Sequence, residues 1–333
     1  MLKLRQGVVV EAGDPDSRMQ RLEVDVGGER RPALADVGLV GGAQTGDEVV
    51  VNVEARDLGL GSGGFDLVHA NLTRGLGAPG AAGAHVMKLN YTSLQHPVGP
   101  VEQEELAVPL ERPVAVCGLH GQLPPLAWAF AHAAPGARLG YVQTPGGALP
   151  GALSTVVPDL RQRGMLAAHV TGGPAYGGDA EAITTIGALD HGLGAGDWDA
   201  AVCAPGPGIL GSASALGHGG MAALDSAHAA LSLGCQTLMV ARMSQGDPRP
   251  RHRGVSHHTR TVLELLLRPV VVALPEGFAG EVGDRHEVRR AAADLDGYER
   301  SGLPVRTMGR ELRDDPPFFA AALSAGRVLA DML

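Results

Sequence analysis

Short apolar runs separated by Gly and Asp make up the first third of the chain. QGVVVEAG, QRLEVDVGG, DEVVVNVEA and FDLVHANL are each only a few residues long and rich in β-branched side chains. Runs of this length, closed by turn-forming residues, are typical of strands that pair with their neighbours in sequence. We therefore predict a smaller antiparallel β domain over residues 1–108, folded as a barrel or a sandwich.

The pattern changes near Val108. From there, runs that are apolar at nearly every position alternate with longer helix-like segments. Strands that are apolar on both faces, with helices between them, are typical of a parallel sheet covered on both sides. Residues 109–333 are therefore predicted to form an α/β domain, with a mostly parallel sheet and Rossmann-like layering. Its predicted strands span 113–118, 137–143, 166–171, 198–204, 235–242 and 269–275, and its predicted helices span 121–134, 148–163, 179–193, 214–233 and 256–268.

The end of the chain adds further elements. RHEVRR and LPVRTMG have the composition of additional edge strands. The segment DDPPFFAAALSAGRVLADML predicts a closing helix, in which Asp315 is placed as the N-cap and Pro316 fits the first turn.

Composition narrows the class of protein. With 44% hydrophobic and 19% charged residues, the chain is globular and not disordered. A net charge of −9 argues against the basic surface that nucleic-acid binding requires, and no apolar run approaches the roughly 18 residues of a membrane span. Three widely spaced cysteines form neither a disulfide framework nor a zinc ribbon. We expect a cytoplasmic protein with a small-molecule ligand, no nucleic-acid or membrane partner, and a homo-oligomeric state left open.

Five polar, glycine-rich loops follow the predicted strands: GLHGQ, QTPGGALP, TGGPAYGGDAE, APGPGILGSASALGHGG and RMSQGDPRPRHRGVSHHT. In a parallel sheet all five leave the carboxyl edge, where open α/β folds bind ligands. The return connections are shorter and plainer. We therefore predict that His120, Asp179, Gly206 and His257 converge in one crevice. The alternative is that the glycines only end strands and begin helices.

Several of these residues allow two interpretations. Asp179 is either a helix N-cap or a carboxylate that orients a histidine or holds a metal. His120 directly follows a strand and is either structural or part of the site. GPGILG matches the dinucleotide fingerprint, but the next strand ends at Arg242, where the ribose would require an acid. We expect no nicotinamide or flavin, and assign Gly206 and Gly208 to anion binding through backbone N–H groups.

The stretch RHRGVSHHT concentrates three of the chain's 13 histidines. Their spacing is not a standard zinc pattern. Adjacent His257 and His258 are expected to diverge by about 100° on a helix, which disfavours their sharing one metal. A divalent-metal site stays open as an alternative that combines His252 and His257 with His120 and Asp179.

An anion site explains more of this stretch. Ser256 precedes the apolar run VLELLL and is predicted to cap a helix, whose free N–H groups and positive end attract anions. Arg251 and Arg253 add charged donors, and Thr259 adds a hydroxyl. A histidine in that positive field is biased toward its neutral form, as a general base requires. The predicted catalytic residues are His120, Asp179, His257 and His258.

Several long motifs carry a resemblance to a known family. GLHGQLPP, AYGGDAEAI, RHRGVSHHT and TMGRELRDDPPFFAAA, together with DLGLGSGGFDLVHANL and HVMKLNYTSLQ, occur in this order along the chain. They resemble the motifs of a bacterial family catalogued as domain-of-unknown-function family 3866, over nearly the whole chain. The resemblance implies no activity, cofactor or catalytic residue, because the family's function is unassigned.

Three functional hypotheses follow from the residues. The first is an enzyme, a hydrolase or a transferase, that acts on a small phosphorylated or carboxylated metabolite by histidine acid–base or hydrolytic chemistry. The second is a non-catalytic ligand-binding or assembly protein that uses the same crevice. A metal-dependent hydrolase is a further alternative. The density of titratable residues favours an enzyme.

Overall fold

A computed structural model describes residues 1–14, 17–60, 63–77, 80–106 and 108–333. The chain divides into two compact units, Met1–Val98 and Gly99–Leu333. The change of pattern at Val108 lies inside the second unit, and the domain boundary placed there stays a prediction.

The first unit is a closed five-stranded barrel with the strand order β1-β2-β3-β5-β4. All neighbouring strands are antiparallel except the pair β3 and β5. Alternate apolar side chains, such as those of Val24, Val49 and Val51, fill the interior. The barrel alternative of the prediction is therefore confirmed. The elements are β1 Leu4–Ala12, β2 Met19–Val26, β3 Glu29–Asp36, α1 Val37–Val40, β4 Glu48–Asn52, α2 Glu54–Asp57 and β5 Asp66–Asn71, followed by a small hairpin of β6 Val86–Lys88 and β7 His96–Val98.

The second unit contains an eight-stranded parallel sheet with the order β11-β10-β9-β12-β8-β13-β16-β17. Strands β8, β9 and β12 are buried at every position, which is why they are apolar throughout. The strands are β8 Pro113–Cys117, β9 Leu139–Thr144, β10 Ala168–Thr171, β11 Ala180–Glu181, β12 Ala200–Pro205, β13 Gln236–Val240, β16 Val271–Pro275 and β17 Glu287–Ala291, with two hairpins outside the sheet, β14 Met243–Ser244 with β15 Gly254–Val255 and β18 Arg306–Thr307 with β19 Arg310–Glu311.

Helices cover both faces of this sheet, as the sequence predicts. Helices α3, α4, α8 and α9 pack over one face in a core around Leu126, Tyr141 and Phe318. Helices α5, α6 and α7 pack over the other face around Val142 and Trp198. The helices are α3 Leu123–Ala133, α4 Val156–Gln162, α5 Thr185–Asp190, α6 Ala222–Ser232, α7 His257–Leu265, α8 Leu295–Arg300 and α9 Pro316–Ala330.

Strand β8 lies where the order in which the chain adds strands to the sheet changes direction. Its neighbours are β12 and β13, although the chain leaves β8 through α3 to reach β9. The connections that follow β12 and β13 run through α6 and α7 on the opposite face. Loops that depart to opposite faces leave a crevice between them, so the carboxyl end of β8 is the expected ligand position in this fold.

The end of the chain agrees with the prediction in part. RHEVRR contributes β17, which pairs with β16 at the edge of the sheet. LPVRTMG does not extend the sheet, because β18 pairs only with β19 in a separate hairpin. In the part of the chain that the structure describes, no helix has both the length and the apolar character needed to cross a membrane.

A close approach between β9 and the segment before β12 gives a test of the packing. Gly140 faces Trp198, and a Cβ at position 140 would overlap the indole ring. Trp198 is buried and has no room to retreat. We expect Gly140→Ala to lower the free energy of unfolding by about 1–3 kcal/mol, as overpacked cores do. Chemical denaturation measures this.

Gly283→Ala is the matched control, because a Cβ at position 283 meets open space. Equal stability of the two variants would contradict the described contact between Gly140 and Trp198.

Candidate functional site

Four histidines form a cluster beyond the carboxyl end of β13, which we call the histidine cluster: His218, His252, His257 and His258. The rings of His218 and His258 stack with centroids 3.5 Å apart and planes 10° apart. The His252 ring lies 4.8 Å from that of His257 and 4.9 Å from that of His258. His218 comes from the loop after β12, whereas the other three come from the loop and helix after β13.

Ser256 holds the start of α7 against this cluster. It is the N-cap residue, and its hydroxyl oxygen accepts a hydrogen bond from the His258 backbone N–H at 3.2 Å. The same oxygen lies 2.8 Å from Nδ1 of His252. The Ser256 N–H donates to the carbonyl of Arg242 at 2.8 Å, which joins the helix start to the end of β13. The predicted cap is therefore present.

The expectation that His257 and His258 diverge is wrong. Their ring centroids lie 4.4 Å apart, and one nitrogen from each lies within 4.8 Å of a nitrogen of His218. Side chains in the first turn of a helix lean toward its N-terminus, so both rings extend back over the Ser256 cap.

Arg242 is the cation closest to the cluster. Only 4% of its surface is exposed, and Nη1 lies 2.9 Å from Nδ1 of His258. A guanidinium can only donate, so His258 accepts at Nδ1 and carries its proton on Nε2. Nε of Arg242 is buried and has no hydrogen-bond partner among the described residues. Burial lowers the pKa of Arg242 to about 10, so the group is still charged at neutral pH.

Two buried carboxylates balance the arginines around the cluster. Asp247 is bound by Nε and Nη2 of Arg249 at 2.9 and 2.8 Å, and lies 3.6 Å from both Arg242 and Arg310. The hydrogen bond from Arg249 is the main reason that the pKa of Asp247 lies well below its ordinary value. Three arginines thus surround this one carboxylate.

Asp315 fills a different role from the predicted one. It occupies the N-cap position of α9, but its carboxylate makes no capping hydrogen bond. It accepts instead from the Ser244 hydroxyl at 2.6 Å, from the Gln245 N–H at 2.7 Å and from Nε of Arg310 at 2.8 Å. The side chain therefore fixes the loop after β13, which carries the histidines.

The histidines are neutral at physiological pH. Burial, followed by the charge of Arg242, lowers the pKa of His258 to about 2 and that of His252 to about 4. Burial also lowers the pKa values of His218 and His257. Nε2 of His218 lies 3.0 Å from the Ala215 carbonyl, to which it must donate, so its Nδ1 is unprotonated.

Buried polar atoms without a hydrogen-bond partner concentrate in and around the histidine cluster. Nδ1 of His218, Nε2 of His257, Nε of Arg242 and Nη2 of Arg310 are all buried without a hydrogen bond to any residue that the structure describes. Buried polar groups in folded proteins are normally satisfied, so each such atom requires an explanation. Four in one place point to a ligand.

The arrangement of the histidine rings shows whether this ligand could be a metal ion. Nitrogens of His218, His257 and His258 are close enough to be considered as a three-histidine metal site. However, the metal would have to lie in the plane of each ring, and the parallel rings of His218 and His258, stacked 3.5 Å apart, share no such position. Arg242 also donates into Nδ1 of His258. Metal binding by all three would therefore require both contacts to break.

The predicted anion-binding residues differ in burial and in the contacts that they make. Thr259 is buried, and its hydroxyl accepts from the Arg242 N–H at 2.9 Å. Arg251 and Arg253 are exposed at the rim, and Nε of Arg253 donates to the Asp247 carbonyl at 3.2 Å. Gly206 is buried and Gly208 is exposed, and both lie on the loop that continues to His218.

The loop that carries His120 lies beside the cluster, while Asp179 does not. Gly118 and Leu119, which precede His120, line a narrow cavity together with Arg242, His258 and Thr259. This cavity holds about one water molecule. His120 itself is turned toward Ser154, at 2.8 Å from its hydroxyl.

Asp179 is bound at the far side of the sheet. Its carboxylate accepts from the His169 N–H at 2.9 Å and lies 3.2 Å from Nη2 of Arg161. Strand β10 is four positions from β13, or about 19 Å at the usual strand spacing. The N-cap interpretation of Asp179 is also wrong, because Thr184 caps α5 by accepting from the Gly187 N–H.

The sequence did not single out two residues of this site, one histidine of the cluster and the arginine beside it. His218 lies in GHGG at the end of a long loop, and Arg242 directly follows the apolar run LMVA. A charged residue at the carboxyl end of a buried strand is a usable signal, because burial of a charge requires a partner. Nothing local to GHGG indicates that it folds back onto α7.

The loops after β9 and β12 contact each other through glycines. Gly146 has φ of 112°, and a Cβ on Gly219 would overlap the Gly146 carbonyl. The Gly146 carbonyl accepts from the Leu210 N–H at 3.1 Å, and the Gly219 N–H donates to the Leu210 carbonyl at 2.7 Å. His218 is thus held by backbone contacts between two loops.

A family model described as a protein of unknown function (DUF3866) matches residues 33–326 of the 333. The chain belongs to this family. Searches of curated proteins and of solved structures found no match to the chain. The resemblance inferred for the DUF3866 motifs is therefore confirmed, and family membership supplies no activity.

The lowered histidine pKa values predict how stability depends on pH. The unfolded chain takes up protons near the ordinary histidine pKa of 6.5, whereas the folded protein holds His252 neutral down to about 4 and His258 down to about 2. Their contribution to stability is fully present above pH 6.5 and is lost as the pH falls below it. We expect the midpoint of urea unfolding to decrease steadily from pH 7 to pH 5.

His258→Gln should flatten this dependence, because glutamine takes up no proton in the unfolded chain. His69→Gln, in the barrel, is the control for loss of a histidine elsewhere. A pH dependence that is unchanged in His258→Gln would refute the neutral state assigned to this residue.

Proposed function

We propose that this DUF3866 protein is an enzyme that acts on a small phosphorylated or carboxylated metabolite, using the histidine cluster for acid–base or hydrolytic chemistry. The observation that carries the proposal is the buried Arg242, whose Nε is unpartnered, in contact with a cluster of neutral histidines. A buried N–H donor without a partner costs free energy, so its retention points to a ligand that accepts from it.

The charge around the cluster favours an anion. Among the residues that the structure describes, Arg242, Arg249 and Arg310 form ion pairs with Asp247 and Asp315, and the exposed Arg251 and Arg253 stand at the rim. The N-terminus of α7, a helix of nine residues, adds positive potential at the same place. An oxyanion would satisfy the orphaned N–H groups of the arginines by charge-assisted hydrogen bonds.

The histidines supply the chemistry. Neutral imidazoles at neutral pH are competent general bases, and Nδ1 of His218 and Nε2 of His257 are not occupied by other described residues. An anion bound beside them would raise their pKa values and prepare them to return the proton as general acids. Hydrolysis and group transfer both need this exchange of roles.

Two further candidates use the same residues. A metal-dependent hydrolase is favoured by the closeness of nitrogens from His218, His257 and His258, and it requires the rings to rearrange. A non-catalytic ligand-binding or assembly protein would need the anion site alone. For the cellular setting we propose the cytoplasm, without nucleic-acid or membrane partners; homo-oligomerisation stays open.

Binding of inorganic phosphate tests the anion site. Arg242→Gln removes a charged donor, and a hydrogen bond to a charged group contributes on the order of 1.5–3 kcal/mol. We expect the phosphate affinity of the full chain, measured by isothermal titration calorimetry, to fall by about tenfold or more. Arg242→Lys should retain part of it.

Arg268→Gln is the matched control, since Arg268 is exposed just beyond the end of α7. A wild-type protein that binds neither phosphate, sulfate nor any member of a panel of phosphorylated and carboxylated metabolites would refute the proposal. Tight binding of Zn²⁺ that His218→Ala abolishes, without any effect of phosphate, would favour the metal-dependent alternative.

A further inference from the structure

A serine and a histidine outside the histidine cluster lie in direct contact. The Ser154 hydroxyl is 2.8 Å from Nε2 of His120. Ser154 lies just before α4, in the loop after β9, and His120 lies in the loop after β8. Ser154 is buried, with 3% of its surface exposed, while His120 is half-buried.

The surrounding hydrogen bonds determine which group donates. On its other side, Nδ1 of His120 lies 3.5 Å from the Tyr141 hydroxyl, and the ring also bonds the Pro205 carbonyl. The Tyr141 hydroxyl donates to backbone carbonyls, at 3.3 Å to Ala204 and 3.4 Å to Pro205. Because the Tyr141 hydrogen is directed to those carbonyls, its oxygen is the acceptor toward Nδ1 of His120, which therefore carries the proton. Nε2 is then a lone pair that faces Ser154.

The second contact of Ser154 leaves its proton available. The Val157 N–H donates to the Ser154 oxygen at 3.2 Å, as in a helix cap. That bond uses an oxygen lone pair, so the hydroxyl hydrogen is still directed to His120. A capping role alone would not require a neutral histidine on the other side.

We propose that Ser154 is a nucleophile and that His120 is its general base, forming a site for acyl transfer from esters of carboxylic acids. The pair has the geometry of a serine–histidine nucleophile, with the base oriented by a third group, here the Pro205 carbonyl and the Tyr141 hydroxyl. This inference uses none of the residues of the histidine cluster and stands independently of the anion site.

The reaction balances with these residues and water alone. The Ser154 oxygen attacks the ester carbonyl carbon as its proton passes to Nε2 of His120. The carbonyl re-forms with loss of the alkoxide, which takes the proton from His120 and leaves as the alcohol. Water, deprotonated by the same nitrogen, then cleaves the Ser154 ester, releasing the acid and restoring the serine.

Burial supports the role of His120. It lowers the pKa of His120 to about 4, so the base is unprotonated over the physiological range. The rate of acylation should therefore stay level from pH 8 to about pH 5 and fall as the pH approaches 4.

Covalent labelling tests the proposal. The full-length protein is treated with a fluorophosphonate probe, which phosphonylates activated serines, and the modified residue is located by peptide mass spectrometry. We expect one adduct, on Ser154, absent in Ser154→Ala. His120→Gln should slow labelling by at least a hundredfold, in the range of general-base catalysis. Ser226→Ala, which removes a buried serine that bonds the Ala222 carbonyl, should label as wild type.

Circular dichroism checks that each variant is folded, and His120→Gln keeps the test informative if Ser154→Ala is not. The proposal is overturned if a serine hydrolase in the same tube is labelled but Ser154 is not. It is equally overturned if the adduct lies on another residue, or if His120→Gln reacts at the wild-type rate.

Discussion

The charge of Arg242 is the constraint on which the end of the sheet depends. A guanidinium that is buried just beyond the carboxyl end of β13 must be balanced and hydrogen-bonded. The side chain of Arg242 contacts His258 and Asp247, which supply an acceptor and a balancing charge. Its backbone N–H and carbonyl form hydrogen bonds with Thr259 and Ser256. The start of α7 is thus attached to β13 at several points. The position of the histidines follows from that attachment.

Local signals in the sequence predicted the elements well. The parallel sheet, the helices on both faces and the Ser256 cap each depend on residues within a few positions of one another. The concentration of histidines in one loop and helix indicated a site there, but the sequence predicted that His257 and His258 diverge, whereas their rings lie 4.4 Å apart. What a single residue does was harder to predict. Asp315 stands where a cap belongs, but it binds a loop instead, because that loop supplies better donors.

Strand order explains the parts that could not be predicted. Asp179 was expected at the carboxyl edge with His257, but it lies directly before β11 and beside His169 of β10, several strands from β13. The sequence of strands along the chain does not contain their order in space, because that order is set by which crossovers pack best. His218 shows the opposite case: β12 and β13 are separated by β8, but a long loop brings this histidine onto α7. The distance between two strands in the sheet therefore does not determine the distance between the loops that follow them.

The contact between Gly146 and Gly219 has a mechanical consequence. The hydrogen bond from the Leu210 N–H to the Gly146 carbonyl joins the loop after β12, which contains His218, to the loop after β9, which leads to Ser154. The Leu210 carbonyl accepts from the Gly219 N–H, so the bonded segment lies next to His218. No side chain separates these two backbones, so no side-chain rearrangement between them can absorb a displacement of either loop. A molecule that pushes one loop outward must also move the second. Ser154 and His218 are therefore mechanically coupled through their loops, at a contact made by two residues that have no side chains.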